Sequence, residues 1–462
     1  MAFDIGTTHL KWVVIEEASG LRLSEGRENV GASHQGPISE QNPDHIVERI
    51  SRALTEAQAY GDVIRVGFSS AMHSFLVVDH GGHPLTQSWT WMDKRAGDAA
   101  RHLRESGYGA RLRERSGVPV HAMSPLVKWI SLRESMPKNS RPVALKDYVL
   151  YRLTGQWITD YSTASSGGFL GLDNQWLPEA LSLAQLDPAQ LPRLVPMTQR
   201  VPDRTSPREY VVGASDGATA HLHLNIPPDG SIGVLAMGTS GALRTTEAQP
   251  LANPELFCYS LGPAEGYLVG SAFSNVGNLL AWMANTFGST IDALIGDGLQ
   301  AIYKERPLPL ALPYWFGERS PWWQEDLAGA WLDLAPHHGR AEMAAAVLMA
   351  MAAQYAHGRD TLKEGGAALL ELRGGSGLLD QPAMAQWMAD ALGEDIVLHD
   401  ERDASLLGAV DLTRGRQETA LNKGGVRYRS RNGSLSERVA ETWQRIAIQV
   451  NSRLRTDRIR PG

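Results

Sequence analysis

Two stretches of this chain repeat one pattern: an apolar strand, a Gly-Thr turn and a second strand. The first is DIGTTHLKWVV, from Asp4 to Val14, and the second is AMGTSGALRTT, from Ala236 to Thr246. One such hairpin opens many sheets and implies little. Two, each at the head of a fresh run of strands and helices, point to a duplicated α/β fold. A chain of 462 residues is long enough to split into two cores. The second pattern starts just after PPDG at 227–230, so the expected domains are 1–226 and 227–462.

The intervening periodicity supports alternating strands and helices. Ile46, Ile50, Ala53, Leu54 and Ala57 recur at helical spacing and predict a helix over 43–60, closed by Gly61. VIRVGF at 63–68 and FLVVD at 75–79 read as strands, and RPVALKDYVLYRLTG reads as a helix ending at Gly155. VVGASDGATAHL predicts a strand running into a helix. Farther on, helices are expected near 340–363, 382–392, 404–412 and 435–454, with a strand at 368–373 followed by a glycine turn.

Composition excludes several function classes. The formal net charge is −7 and no long basic run occurs, which argues against nucleic acid or an anionic membrane as partner. No apolar run reaches the roughly 18 residues of a membrane helix. Asp4 and Lys11 interrupt the opening apolar segment, so no signal peptide is expected. The one cysteine, Cys258, allows neither an intrachain disulfide nor a cysteine-based zinc site, and it fits a cytoplasmic protein. No Gly-Lys dipeptide is present, so a Walker A loop is excluded, and GGSGLLD does not complete a dinucleotide fingerprint.

Each Gly-Thr turn is open to two readings. It is a plain hairpin turn, or its amides and hydroxyls donate to phosphate oxygens while glycine lets the backbone approach. The pairing of the two turns favours the second reading. In it Gly6, Thr7 and Thr8 oppose Gly238, Thr239 and Ser240 across a cleft. Lys11 neutralises a transferring phosphoryl group, and Asp4 holds magnesium through water. Met237 stands where the second copy would have the acid. Asp216, at a strand-to-helix junction, serves on residues alone equally as a helix N-cap. His73 alone reads as structural, and Trp91, Asp93 and Arg95 as an exposed helix start capped by Asp93.

Taken together, DIGTTHLK, SAMHSF, TWMDKRA, MSPLVK, VVGASDG, MGTSG, GERSPWW, GGSGLLDQP and DASLLGA resemble, in order, the motifs of the FGGY carbohydrate kinases, members of the actin-like ATPase superfamily. They span residues 4–409. The resemblance implies two actin-like (ribonuclease H-like) ATPase domains with a central inter-domain cleft, using ATP and Mg2+. It makes Asp216 the general base and a second metal-side carboxylate. It makes His73, Trp91, Asp93, Arg95 and His121 the sugar pocket, and it puts Gly374, Gly375, Ser376 and Gln381 on the adenosine side. AMHSF, VHAMSPLVK and PYWFGERSPWW are most similar to the gluconate-phosphorylating branch. The implied substrate is therefore gluconate at its terminal hydroxyl, with xylulose, ribulose or another polyol second. The expected partner is a small sugar or sugar acid, the chain acting as monomer or homodimer. Glu318 and Arg319 are expected to be architecture, and Met384, Trp387 and Met388 core. The rivals are an ATP-operated switch without a sugar pocket, a non-catalytic sugar sensor and, more distantly, a Rossmann dehydrogenase.

Overall fold

The computed structural model describes residues 1–399, 403–415, 425–431 and 433–457. The chain packs into two compact units. The first comprises Met1–Pro228, Thr246–Val269 and Asp403–Lys423; the second comprises Asp229–Thr245, Gly270–Arg402 and Gly424–Gly462.

The first unit is organised by a six-stranded mixed sheet. Strand Ala2–Ile5 lies at its centre, antiparallel to His9–Ile15 and parallel to Arg65–Ser70, which is in turn parallel to Glu209–Ser215. Alternation along the central strand decides which side chains meet which helices. Phe3 and Ile5 face a core built with Ile46, Ile50 and Leu54 of helix Pro43–Ala57 and with Tyr148 and Val149 of helix Leu145–Thr154. Phe3 stacks on Phe68 with ring centroids 5.9 Å apart. Ala2 turns to the other face, where Val13 and the Leu406, Ala409 and Val410 ridge of helix Ala404–Arg414 cover it. Asp4, on that same face, is a carboxylate in an otherwise apolar strand.

Most sequence-predicted elements are present with modest shifts. The helix at 43–57 ends in a short 3₁₀ turn, Gln58–Tyr60. RPVALKDYVLYRLTG divides: Arg141–Val143 is a strand and only Leu145–Thr154 is helical, stopped by Gly155 at φ 74°. The division follows the pairing of 141–143 antiparallel with strand Leu76–Val78, and Pro142 keeps Arg141 out of the helical region.

In the second unit, strand Ile232–Met237 pairs antiparallel with Gly241–Glu247 and parallel with Glu371–Gly377, followed outward by Ile396–Leu398 and Val426–Tyr428. The 25-residue helix Arg340–Glu364, rich in alanine and methionine, is buried along most of its length against helices Ile291–Tyr303 and Gly433–Asp457. Gly374, Gly375 and Ser376, expected in a turn, lie inside strand Glu371–Gly377. Met384, Trp387 and Met388 are fully buried on helix Pro382–Leu392, as expected for core.

Candidate active site

The three parallel strands of the first unit end at one edge, delivering Ile5, Ser70 and Ser215 side by side. Carboxyl ends of parallel strands are where α/β sheets bind ligands. The Gly6–Thr8 turn leaves from this edge, and Asp216 stands there as the first residue of helix Asp216–His223. Ser215 is the N-cap residue, so Asp216 does not fill the capping position that the sequence left open to it. Its Oδ1 accepts from the Gly217 N–H at 2.8 Å. Gly213 is what aims it. A register shift falls between Val211 and Ala214, Gly213 sits at φ 72°, and a Cβ there would lie 1.8 Å from the Phe68 carbonyl oxygen.

Asp4 is buried and joined to this edge. Its Oδ1 accepts from the Ser69 hydroxyl at 2.9 Å and its Oδ2 from the Ser405 hydroxyl at 2.9 Å. Burial raises its pKa, and the two hydroxyls oppose the rise. Thr219 Oγ1, one turn into the Asp216 helix, donates to Ser69 Oγ at 3.1 Å. Lys11 pairs with Asp403 at 2.5 Å. Asp403, at φ 64°, starts the helix that also carries Ser405. Gly408 on that helix allows close approach to the Asp216 helix, since a Cβ would lie 1.9 Å from the Thr219 carbonyl oxygen. DASLLGA thus has concrete roles: Asp403 for Lys11, Ser405 for Asp4 and Gly408 for packing.

Of the candidate sugar residues, His73 and the turn carrying Asp93 and Arg95 are drawn together in the same unit. His73, buried at φ 63°, contacts the Ser166 carbonyl through Nδ1 at 3.0 Å and the Tyr259 hydroxyl through Nε2 at 3.3 Å. Asp93 is buried too, and it caps no helix; the helix after it begins at Gly97. Its carboxylate accepts from the Ser39 amide at 2.9 Å and from the Arg95 guanidinium at 2.7 Å. Arg95 also bonds Glu40 at 2.7 Å and lies 3.7 Å over the Trp89 ring. Trp91 is half-buried in the turn after Thr90, and His121 is buried with Nδ1 accepting from the Met123 amide at 3.2 Å.

Lys128, in MSPLVK, fastens these segments together, and sequence reasoning gave it no role. It is fully buried on helix Pro125–Leu132, and its Nζ donates to the carbonyls of His73 at 2.9 Å and Thr90 at 2.8 Å. A neutral amine has the two N–H bonds that two carbonyls require. Burial pushes its pKa down to about 7, with nearby Asp93 opposing. Between that value and the ordinary lysine value of roughly 10.4, the unfolded chain holds a proton that the folded chain lacks, so stability rises with pH. Urea melts at pH 7 and pH 9 should show the parent gaining about 1–2 kcal/mol relative to Lys128→Met across that window. An identical pH response of the two proteins would refute the assignment.

The second unit presents the other Gly-Thr turn. Gly238 follows strand Ile232–Met237, and Met237 pairs with Gly377, so the turn and the glycine strand end side by side. The N-terminal amides of helix Gly277–Thr286 are spent on this turn: Gly277 donates to the Gly238 carbonyl and Asn278 to the Thr239 carbonyl, each at 3.0 Å. A side chain at Gly374 would strike Leu398, whereas a Cβ at Gly375 would meet only the Leu235 carbonyl oxygen, at 3.9 Å. Gln381, preceding helix Pro382–Leu392, donates to Asp292 at 2.7 Å. Glu318 and Arg319 are buried scaffolding, as expected. Among the described residues, no three His, Cys, Asp or Glu side chains converge as a metal-binding group, and no helix is long and apolar enough to cross a membrane.

Two α/β units, each opening on a Gly-Thr hairpin, with a carboxylate at a parallel-strand edge beside one of them, make up the layout of a sugar-phosphorylating enzyme. The chain belongs to the FGGY family of carbohydrate kinases: the family's N-terminal domain matches residues 1–217 and its C-terminal domain residues 233–413. It is 30% identical to a gluconokinase of Bacillus subtilis over 88% of this chain and 86% of that protein. A gluconokinase of Bacillus licheniformis is 31% identical with the same coverage. A gluconate kinase structure from Lactobacillus acidophilus superposes with TM-score 0.85 at 24% identity, covering 98% of this chain and 97% of the other, and shares the fold. The protein is thus an ATP-using phosphotransferase with an alcohol acceptor.

Proposed function

We propose that this kinase phosphorylates gluconate on its terminal hydroxyl, forming 6-phosphogluconate and ADP. The observation that carries the reading is the similarity to gluconokinases over 88% of the chain, at 30–31% identity against 25% for a Lactococcus lactis xylulose kinase. The sugar acid binds the first unit at His73, Trp91, Asp93 and Arg95, with His121 as a further candidate. Asp93 and Trp91 suit a polyhydroxylated chain, and Arg95 suits its carboxylate once it exchanges one of its own acid partners. The adenosine side lies on the second unit near Gly374, Gly375, Ser376 and Gln381, and the Gly238–Ser240 turn receives phosphate oxygens.

In the chemical step Asp216 takes the proton of the attacking hydroxyl as its oxygen bonds the γ-phosphorus. The bond from that phosphorus to the β,γ-bridging oxygen breaks, and ADP leaves. Such a transfer depends mostly on positioning and charge neutralisation. Thr7 and Thr8 offer amides and hydroxyls to the transferring group while Gly6, its own N–H spent on the His9 carbonyl, shapes the turn, and Lys11 offers charge on exchanging Asp403. Mg2+ usually keeps several waters and takes one or two carboxylates with substrate phosphates. Asp4, with each oxygen already accepting one hydroxyl, fits a water-mediated contact to it, and Asp216 is the other carboxylate within reach of the same edge.

An ADP-release assay over gluconate, xylulose, ribulose and glycerol tests the reading. Gluconate should exceed each of the others by at least about tenfold in kcat/KM, the discrimination that one well-bonded substrate group supplies. A higher value for xylulose or ribulose would move the assignment to that sugar. Slow ATP turnover indifferent to every carbohydrate would overturn the substrate reading altogether.

A further inference from the structure

Behind the Asp216 edge lies a buried charge cluster to which the mechanism above gives no part. Lys146, on helix Leu145–Thr154, has no solvent exposure, and its Nζ sits 3.0 Å from Asp147 Oδ1 and 3.0 Å from Asp160 Oδ1. Burial opposes its charge, but the two carboxylates outweigh burial and hold the pKa above the ordinary lysine value. Asp160 in turn caps the short helix Tyr161–Ser166. It accepts from the Ser162 amide at 2.8 Å, the Thr163 amide at 3.2 Å, the Thr163 hydroxyl at 2.6 Å and the Ser162 hydroxyl.

That helix touches both halves of the candidate site. At its start, Ser162 Oγ accepts from the Ser215 backbone N–H at 3.0 Å, immediately before Asp216. At its end, the Ser166 carbonyl contacts His73 Nδ1 at 3.0 Å. Between the two, the Ser165 hydroxyl accepts from the Ser260 amide at 2.9 Å, next to Tyr259, whose hydroxyl meets the other nitrogen of His73. The Ser162 hydroxyl therefore holds the backbone amide that leads directly into Asp216.

We infer that Lys146, through Asp160 and the short helix it caps, is a positioning residue: Ser162 of that helix fixes where Asp216 stands and Ser166 fixes His73, so that one buried cation sets the geometry of both the base and the sugar contact. The inference rests on Asp216 being the base. The two arms diverge at the short helix, and this divergence makes the inference testable. Ser162 serves only the arm toward Asp216. Lys146 serves both.

Ser162→Ala removes one hydroxyl and keeps the amide bond to Asp160, so it leaves the fold intact where Lys146→Met risks unfolding. In Ser162→Ala, kcat should fall about tenfold with both KM values unchanged, the scale of loss expected from a small misplacement of a reacting group. In an Asp216→Asn background the same change should cost less than about twofold, because coupled residues are not additive. Lys146→Met, assayed on the folded fraction, should lower kcat and also raise the sugar KM. A Ser162→Ala enzyme with the parent's kcat, or one losing equally in both backgrounds, overturns the positioning chain. Failure of the base reading is a separate result: Asp216→Asn would then turn over like the parent.

Discussion

Asp216→Asn should lower turnover on the best sugar substrate by about 10²- to 10⁴-fold while leaving the sugar KM within about threefold of the parent. The amide matches the carboxylate in shape, and its oxygen can keep the bond from the Gly217 N–H, so neither the helix start nor the strand edge has reason to move. What is lost is the proton acceptor for the attacking hydroxyl, equivalent to about 3–5 kcal/mol of barrier. A coupled ADP-release assay run beside a thermal melt separates the outcomes. Loss of rate with an unchanged melt supports the base, and near-full rate rejects it. A melt lowered by several degrees would instead assign the carboxylate to the fold. The wiring around Asp216 makes that third result unexpected, because the bonds that organise the edge are made by its neighbours. Thr219 reaches Ser69, and Ser215 reaches Ser162.

The fold was legible in the sequence because its determinants are local. Helical spacing of Ile46, Ile50 and Leu54 and the stop at Gly155 each act within a few residues, and the structure bears them out. The failures were few: residues 141–143 left the predicted helix to pair with strand Leu76–Val78, and Gly374, Gly375 and Ser376 stayed in the strand. The candidate site was legible as a set of motifs and opaque as a network. Ser69, Ser405, Asp403 and Lys128 lay inside or beside stretches already singled out, yet each acts on a residue far away in the chain. Ser405 reaches Asp4 from 401 positions off and Lys11 meets Asp403 from 392. Nothing in spacing or periodicity encodes such a bond. A signal was nonetheless available for Lys128, since a lysine in the apolar run PLVKWI must bury its ammonium and therefore needs carbonyls or acids around it.

Glu318 carries the other large expected effect, in the second unit. Its carboxylate is fully buried and accepts four bonds: from the Ser274 amide at 2.6 Å, the Arg319 amide at 2.7 Å, the Gln354 side chain at 2.9 Å and the Asn275 side chain at 3.2 Å. Burial raises its pKa, and those donors pull the other way. Glu318→Ala strands four donors in a site closed to water, at a cost of about 3–5 kcal/mol, and should lower the melting temperature by roughly 10 °C. Glu318→Gln should cost about 1–2 kcal/mol. Its oxygen still serves the two amides, and its new N–H group can turn to Gln354 Oε1, which has no partner of its own. The effect extends beyond stability. Ser274 and Asn275 lead straight into Gly277 and Asn278, whose amides hold the Gly238–Thr239 turn. If that turn receives the nucleotide phosphates, Glu318→Gln should raise the ATP KM severalfold and leave the sugar KM alone, read in the same ADP-release assay. A Gln variant altered in the sugar KM alone would detach the network from the nucleotide. An Ala variant melting with the parent would show that the four bonds contribute nothing to the fold.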